Sequence, residues 1–257
     1  MSVEHRVAQY GLIGRSLGHS RSPELFASIF AREGLSGARY ELFELDHVDE
    51  LPGLIAARPA LRGLNVTIPY KQNVIPLLHG LSPEAAAVGA VNCIRIRDGR
   101  WIGHNTDIDG FRALIGPHLG TVLGQGGTVR PRALVLGSGG ASRAVAYVLR
   151  ELGLRFRVVS RSRERGDLTW DQVDRTVVGV CRLIIHTTPL GMWPKVDESP
   201  ALPYAALTDQ HHLIDLVYNP EETLFLRQGR DAGAVVENGM VMLKEQAEAA
   251  WRFWGVD

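Results

Sequence analysis

The stretch Ala133-Leu134-Val135-Leu136-Gly137-Ser138-Gly139-Gly140-Ala141-Ser142 decides the fold. Its first four residues read as a short apolar strand. Beyond the glycines, Ala141, Ala144, Val145, Val148, Leu149 and Leu152 recur at helical spacing until Gly153 supplies a C-terminal stop. Strand, glycine turn and amphipathic helix in that order form a phosphate-binding turn. Glycine lets the backbone approach a pyrophosphate, whose charge meets the unpaired N–H groups of the helix N-terminus. The competing reading is a plain glycine-rich connection. Ser142 stands where the fingerprint has its third glycine or alanine, which bears on helix packing more than on phosphate contact.

Working outward, Phe156–Ser160, Leu183–His186, Leu213–Val217 and, more weakly, Ala234–Val236 continue the strand series. The strand after the turn ends in Ser160-Arg161-Ser162-Arg163-Glu164-Arg165. An NAD site places Asp or Glu there for the ribose hydroxyls, whereas arginine suits the 2′-phosphate of NADP. A solvated charge run is the alternative. Upstream, Val7–Gly14, Ala38–Leu45 and Arg62–Ile68 read as strands, with helical segments at Pro23–Arg32 and Val48–Ala57. Val91–Ile96 and Trp101–Ile102 flank Asp98-Gly99 and predict a hairpin. Alternating strands and helices argue for an α/β protein with mainly parallel sheets. Gly116–Pro131, with Gly124, Gly126 and Gly127, reads as a flexible boundary. The last helix carries Met240, Leu243, Ala247, Ala250, Trp251 and Trp254 on one stripe, which must pack against something large and could return to the first half.

The 257 residues allow one large or two small domains. Lysine plus arginine, 28, balances aspartate plus glutamate, 28, and 45% of the residues are hydrophobic. That is a globular composition, and the zero net charge gives no support to nucleic-acid or anionic-membrane partners. Cys93 and Cys181 are too few for a disulfide scaffold and are not spaced as a zinc site. The longest nearly apolar run, Ala85–Val91, is far shorter than a membrane span. Glu4 and His5 lead straight into the first strand without the apolar block of a secretory leader. A cytoplasmic protein is expected.

Candidate chemistry in the first half is less specific. In His19-Ser20-Arg21-Ser22-Pro23, Ser22 fits a helix N-cap with Pro23 at the first helical position, and two hydroxyls there could also bind a carboxylate. Asn65-Val66-Thr67-Ile68-Pro69-Tyr70-Lys71 closes a strand and is expected to enter a helix; Lys71 alone would pass as a solvated charge. Asn105-Thr106-Asp107-Ile108-Asp109-Gly110 mimics the start of a calcium loop, but the twelfth position is Gly116 rather than Glu, so calcium is rejected. Asp107 could cap a following helix. The nine histidines include no His-Glu-x-x-His pattern, and the adjacent His211 and His212 would face opposite sides of a strand, so no catalytic metal is expected.

These segments, in this order, resemble the shikimate dehydrogenase family over nearly the whole chain. The matching pieces are His19 to Pro23, Asn65 to Lys71, Gly89-Ala90-Val91-Asn92, Asn105-Thr106-Asp107, Gly137 to Ser142, Asp215-Leu216-Val217-Tyr218, and Glu237-Asn238-Gly239-Met240 with Gln246. The resemblance implies a discontinuous substrate-binding α/β domain, residues 1–108 completed by the helix 240–257. A Rossmann-like NADP-binding domain, 109–239, stands between them, with the active site in the cleft. It implies NADP(H)-dependent, reversible reduction of 3-dehydroshikimate to shikimate, with Lys71 and Asp107 as the catalytic pair. Ser20 and Ser22 would hold the substrate carboxylate near Tyr218, while Thr67, Lys71, Asn92, Asp107 and Gln246 would surround its hydroxyls.

Gly137, Ser138, Gly139, Gly140, Ala141, Ser160, Arg161, Ser162, Arg165, Thr188, Leu216 and Gly239 would hold the cofactor. Departures from the family pattern are Ser160-Arg161-Ser162 for Asn-Arg-Thr, His186-Thr187-Thr188-Pro189 for Asn-Ala-Thr, and a stretch 166–174 too short for a full helix. The implied protein is a monomer or homodimer acting on a small molecule. The alternatives are a quinate/shikimate dehydrogenase using NAD or NADP, which an acidic strand end would have favoured over Arg161, and a non-catalytic nucleotide-binding homologue, which Lys71 with Asp107 disfavours.

Overall fold

The computed structural model describes residues 8–18, 20–120 and 132–255. The predicted join at Gly124, Gly126 and Gly127, together with Val7 and His19, lies outside the described residues. The chain divides into two compact units, Met1–Thr106 with Lys244–Asp257, and Asp107–Leu243.

The first unit is built on a six-stranded sheet of order β2-β1-β3-β5-β6-β4. Its strands are β1 (Gln9–Gly14), β2 (Arg39–Glu44), β3 (Leu61–Val66), β4 (Gly80–Leu81), β5 (Cys93–Arg97) and β6 (Arg100–His104). β1 runs parallel to β2 and β3, whereas β5 is antiparallel to both β3 and β6. The antiparallel β5–β6 pair is the expected hairpin, whose Asp98 and Gly99 both adopt positive φ, 50° and 70°. Helices α1 (Ser22–Arg32), α2 (Leu51–Ala56) and α3 (Pro83–Val88) connect the strands. α3 occupies the run read above only as apolar: Ser82 caps it by accepting the Ala85 N–H at 3.1 Å, and Gly89 ends it at φ 66°.

Two expectations are corrected in this unit. α1 begins at Ser22 itself, so Arg21 is the cap position and Pro23 the second helical residue, and no side chain caps the helix. Instead Ser20 Oγ accepts the Ser22 N–H at 3.2 Å. After β3 the chain does not enter a helix at Lys71. Residues 68–74 form turns followed by a single 3-10 turn at Ile75–Leu77. Pro76 lacks the amide that a helix continuing through Lys71 would need.

The aromatic stripe of the last helix, numbered α8 below (Met240–Trp254), is buried in the first unit as its spacing requires. Ala247, Ala250, Trp251 and Trp254 pack with Tyr10, Phe26 and Phe30. Tyr10 and Trp254 stack at 4.8 Å, and Trp254 Nε1 donates to Ile94 O at 3.0 Å.

The second unit carries a wholly parallel sheet of order β12-β11-β10-β7-β8-β9. The strands are β7 (Arg132–Leu136), β8 (Arg155–Ser160), β9 (Leu168–Thr169), β10 (Leu183–His186), β11 (His212–Asp215) and β12 (Val235–Glu237). The helices are α4 (Asp107–Ile115), α5 (Gly140–Glu151), α6 (Arg175–Val180) and α7 (Leu224–Asp231), before the chain leaves along α8. Ala133 to Leu136 are fully enclosed, which is why β7 reads as a continuous rather than alternating apolar run. Asp107 is the first residue of α4. Between β8 and α6 there is only β9 and one 3-10 turn at Trp170–Gln172, in keeping with the short 166–174 stretch. The strand order reverses at β7, with β8 on one side and β10 on the other. Open parallel sheets hold their ligands at such a point, beyond the strand carboxyl ends.

Candidate active site

The glycine turn lies at that reversal point. Gly137 has φ +117°, and a side chain there would place Cβ 2.7 Å from Thr187 Oγ1, so both backbone shape and space demand glycine. Gly139 is the N-cap of α5 and no side chain caps the helix. Its first amides, at the positive end of the helix dipole, are therefore left for an anion. Ser142 is buried and donates its hydroxyl to Gly139 O at 2.7 Å, so the fingerprint departure is spent on closing the turn.

β8 delivers its end to the same turn. Ser160 Oγ and Ser138 Oγ lie 3.0 Å apart, the Ser162 N–H points at Ser160 Oγ at 3.5 Å, and Arg165 Nη2 donates to Ser138 O at 3.4 Å. Arg161 and Arg165 are exposed. The structure thus joins Ser138, Ser160, Ser162 and Arg165 into one hydroxyl-rich, cationic corner with Arg161 next to it in sequence. A dinucleotide fits this donor set: an uncapped helix start for its pyrophosphate and arginines for a further phosphate.

On the other side of β7, Thr187 Oγ1 donates to Leu136 O at 2.8 Å, and the Thr188 methyl sits 2.9 Å from where a Gly137 side chain would begin. Leu216 and Gly239 also meet: the Gly239 N–H donates to Val217 O at 3.1 Å, and any side chain on Gly239 would collide with the Leu216 carbonyl.

In the first unit, Thr67 follows β3 and its N–H donates to Ile13 O at 2.9 Å. Lys71 O accepts the Val91 N–H at 2.7 Å, which sets its backbone beside Asn92. Asn92 is buried, and its Oδ1 receives both the N–H and the hydroxyl of Thr106 at 2.7 and 3.2 Å. Both are donors, so the amide orientation is fixed and Nδ2 is the atom turned to other acceptors. Asn105 Nδ2 donates to Ala90 O at 2.8 Å, closing the same loop. Ser20 and Ser22 are joined as described above. Asp107 is wholly buried at the start of the second unit, Tyr218 follows β11, and Gln246 is half-buried on α8.

Sequence reasoning missed a buried polar chain behind Thr188. His186 Nδ1 lies 3.0 Å from Asp215 Oδ1, with both side chains fully enclosed. The substitution at His186 was visible in the sequence; its partner is set by strand register, which places His186 beside Asp215. His211 and His212 are both buried, and burial, aided by His118 and His211, holds His212 below the usual imidazole range. Among the described residues, no group of three His, Cys, Asp or Glu side chains could hold a metal ion, and no helix is long and apolar enough to cross a membrane.

Comparison with known proteins follows the same lines. The family model for the shikimate dehydrogenase substrate binding domain matches residues 12–94. The chain is 39% identical over 258 residues to a shikimate dehydrogenase (NADP(+)) of Clostridium beijerinckii, spanning 95% of this chain and 91% of that one. It is 34% identical to shikimate 5-dehydrogenase from Thermus thermophilus, solved in complex with NADP(H) and shikimate, with a TM-score of 0.81 over 96% of this chain and 93% of that one. Quinate dehydrogenase from Corynebacterium glutamicum, solved in complex with NAD, is 28% identical with a TM-score of 0.81, covering 96% of this chain and 93% of that chain.

Proposed function

The chain belongs to the shikimate dehydrogenase family, and from that premise we propose that it catalyses the NADP(H)-dependent, reversible reduction of 3-dehydroshikimate to shikimate. The observation that carries the cofactor choice is the corner at the end of β8, where Arg165 reaches over Ser138 beside the glycine turn. An NAD-selective strand end would carry a carboxylate there.

In this reading residues 109–239 bind NADP, and residues 1–108 with 240–257 hold the substrate. Gly137, Ser138, Gly139, Gly140 and Ala141 receive the pyrophosphate. Ser160, Arg161, Ser162 and Arg165 receive the 2′-phosphate, while Thr188, Leu216 and Gly239 line the remainder. Ser20 and Ser22 with Tyr218 hold the substrate carboxylate. Thr67, Asn92 and Gln246 meet its hydroxyls, and the fixed orientation of Asn92 makes it a donor there. Lys71 takes the proton of the reacting hydroxyl during oxidation and returns it during reduction, a transfer that needs a group within hydrogen-bond reach. Asp107 accepts a hydrogen bond from a substrate hydroxyl. NADP+, when bound, accepts hydride from the carbon bearing the reacting hydroxyl.

The likeness to a quinate dehydrogenase solved with NAD supports a second reading, in which quinate and NAD are also used. Initial rates with shikimate or quinate, each with NADP+ or NAD+, separate the two. Shikimate with NADP+ is expected to be the fastest pair. Faster turnover of quinate with NAD+ would favour the second reading, and no turnover of shikimate would sink the first.

A further inference from the structure

A chain of directed hydrogen bonds runs through the second unit to Thr188. Asp215 Oδ1 receives the Val217 N–H at 2.9 Å and Oδ2 receives the Thr223 hydroxyl at 2.6 Å. Thr223 is held in turn at the N-cap of α7, where its oxygen accepts the Leu226 N–H at 3.4 Å. Asp215 is therefore a carboxylate fed only by donors, and its contact with His186 requires Nδ1 of the ring to carry the proton. A ring that carries its one proton on Nδ1 offers a single acceptor, Nε2, which lies against the Thr188 hydroxyl. Thr188 donates to the ring in that form. The Leu190 N–H points at the same oxygen at 3.3 Å. With its hydrogen committed to His186, the Thr188 oxygen can act toward a ligand only as an acceptor.

Thr188 sits against the Gly137 turn, in the crevice where the strand order reverses. We infer that His186 is a positioning residue for the cofactor: anchored by Asp215, it fixes the Thr188 hydroxyl as the acceptor for a hydrogen-bond donor of the bound dinucleotide. This rests on the NADP reading above. Asparagine at position 186 would keep the bond to Asp215, since its amide can replace Nδ1–H, but is too short to reach Thr188. His186→Asn thus separates the anchor from its action.

The test is a double-mutant cycle on NADP+ affinity, measured by calorimetry on wild type, His186→Asn, Thr188→Val and the double variant. Each single change is expected to weaken NADP+ on the order of five- to tenfold. The double variant should be no weaker than Thr188→Val alone, because His186 acts through that hydroxyl. In turnover the loss should appear in KM for NADP+ more than in kcat. Wild-type affinity in His186→Asn, or additive losses in the double variant, would overturn the inference. If His186→Asn does not fold, Thr188→Val against Thr188→Ser carries the test: equal affinities for NADP+ would overturn it, whereas a loss confined to valine would support it. Repeating the cycle with the 3-acetylpyridine analogue of NADP+, which lacks the carboxamide N–H, distinguishes the donors. A vanished effect assigns the carboxamide, and a retained one assigns a ribose hydroxyl. A wild-type protein that binds no NADP+ would instead remove the cofactor reading itself.

Discussion

Single residues carry the sharpest consequences. Lys71→Ala should lower kcat by about 10²- to 10⁴-fold, the usual contribution of a positioned acid or base, while calorimetric NADP+ affinity stays near that of the parent. Undiminished turnover would take Lys71 out of the mechanism. Arg161→Ala should weaken NADP+ and leave NAD+ little changed, because only NADP+ has a 2′-phosphate for the guanidinium to meet. Equal losses for both cofactors would refute that role. His212 makes a prediction about stability. Its Nδ1 is enclosed, with no hydrogen-bond partner among the described residues, and its ring lies 6.1 Å from that of His118. Burial favours the neutral ring and depresses its pKa. The folded state therefore binds fewer protons than the unfolded chain, and stability present above the ordinary imidazole value of about 6.5 is lost as pH falls below it. Melting temperature should drop on acidification from about pH 7.5 to about pH 5.5, and His212→Gln should flatten the drop. Parallel profiles for the two proteins would contradict this. The glycine turn itself was legible because strand, glycines and amphipathic helix follow one another within a few residues. The His186 chain was not, because its partner arrives from another strand through register alone.

At the scale of elements, local signals succeeded where one physical requirement dominated and failed where two competed. The α8 stripe at helical spacing required a large apolar partner, and it meets Tyr10, Phe26 and Phe30. Trp254 is the test of that packing, since it combines aromatic burial with a hydrogen bond to Ile94 O. Trp254→Ala should cost about 3–5 kcal/mol in urea unfolding, and a loss below about 1 kcal/mol would show that α8 is not integral to this core. By contrast, the segment after Thr67 was read as a helix start because Tyr70 and Lys71 follow a strand end. Pro76, five residues past Lys71, cannot donate the amide that a continuing helix needs, and the segment forms turns instead. Ser22 was misread for a related reason. The Ser-Pro pair signals a helix start correctly, but the helix takes in the serine and leaves Ser20 to receive its N–H. The short α6 and α7 start at local caps, Asp174 and Thr223, which accept the Val177 and Leu226 N–H groups.

For the whole molecule, the order of motifs was more informative than any one of them. The sequence alternation led to two α/β sheets, and both are present, one mixed and one fully parallel. The departure from parallel pairing in the first unit is confined to β5, which runs against both β3 and β6; the Asp-Gly reversal accounts for the β5–β6 pair, and the connection from β3 to β5 for the other. The discontinuous organisation was readable from the aromatic stripe at the C-terminal end, and the chain does return to its first unit at Lys244. Zero net charge gave no support to a polymer of phosphates as partner, and it hid the arginines gathered at the end of β8. The central claim is that this fold reduces one defined ketone with one defined cofactor. Its most direct test is to mix purified protein with 3-dehydroshikimate and NADPH and follow nicotinamide oxidation together with product identity. One equivalent of NADPH consumed for each shikimate formed is the predicted result; NADPH left unoxidised, or oxidised without shikimate appearing, would contradict it.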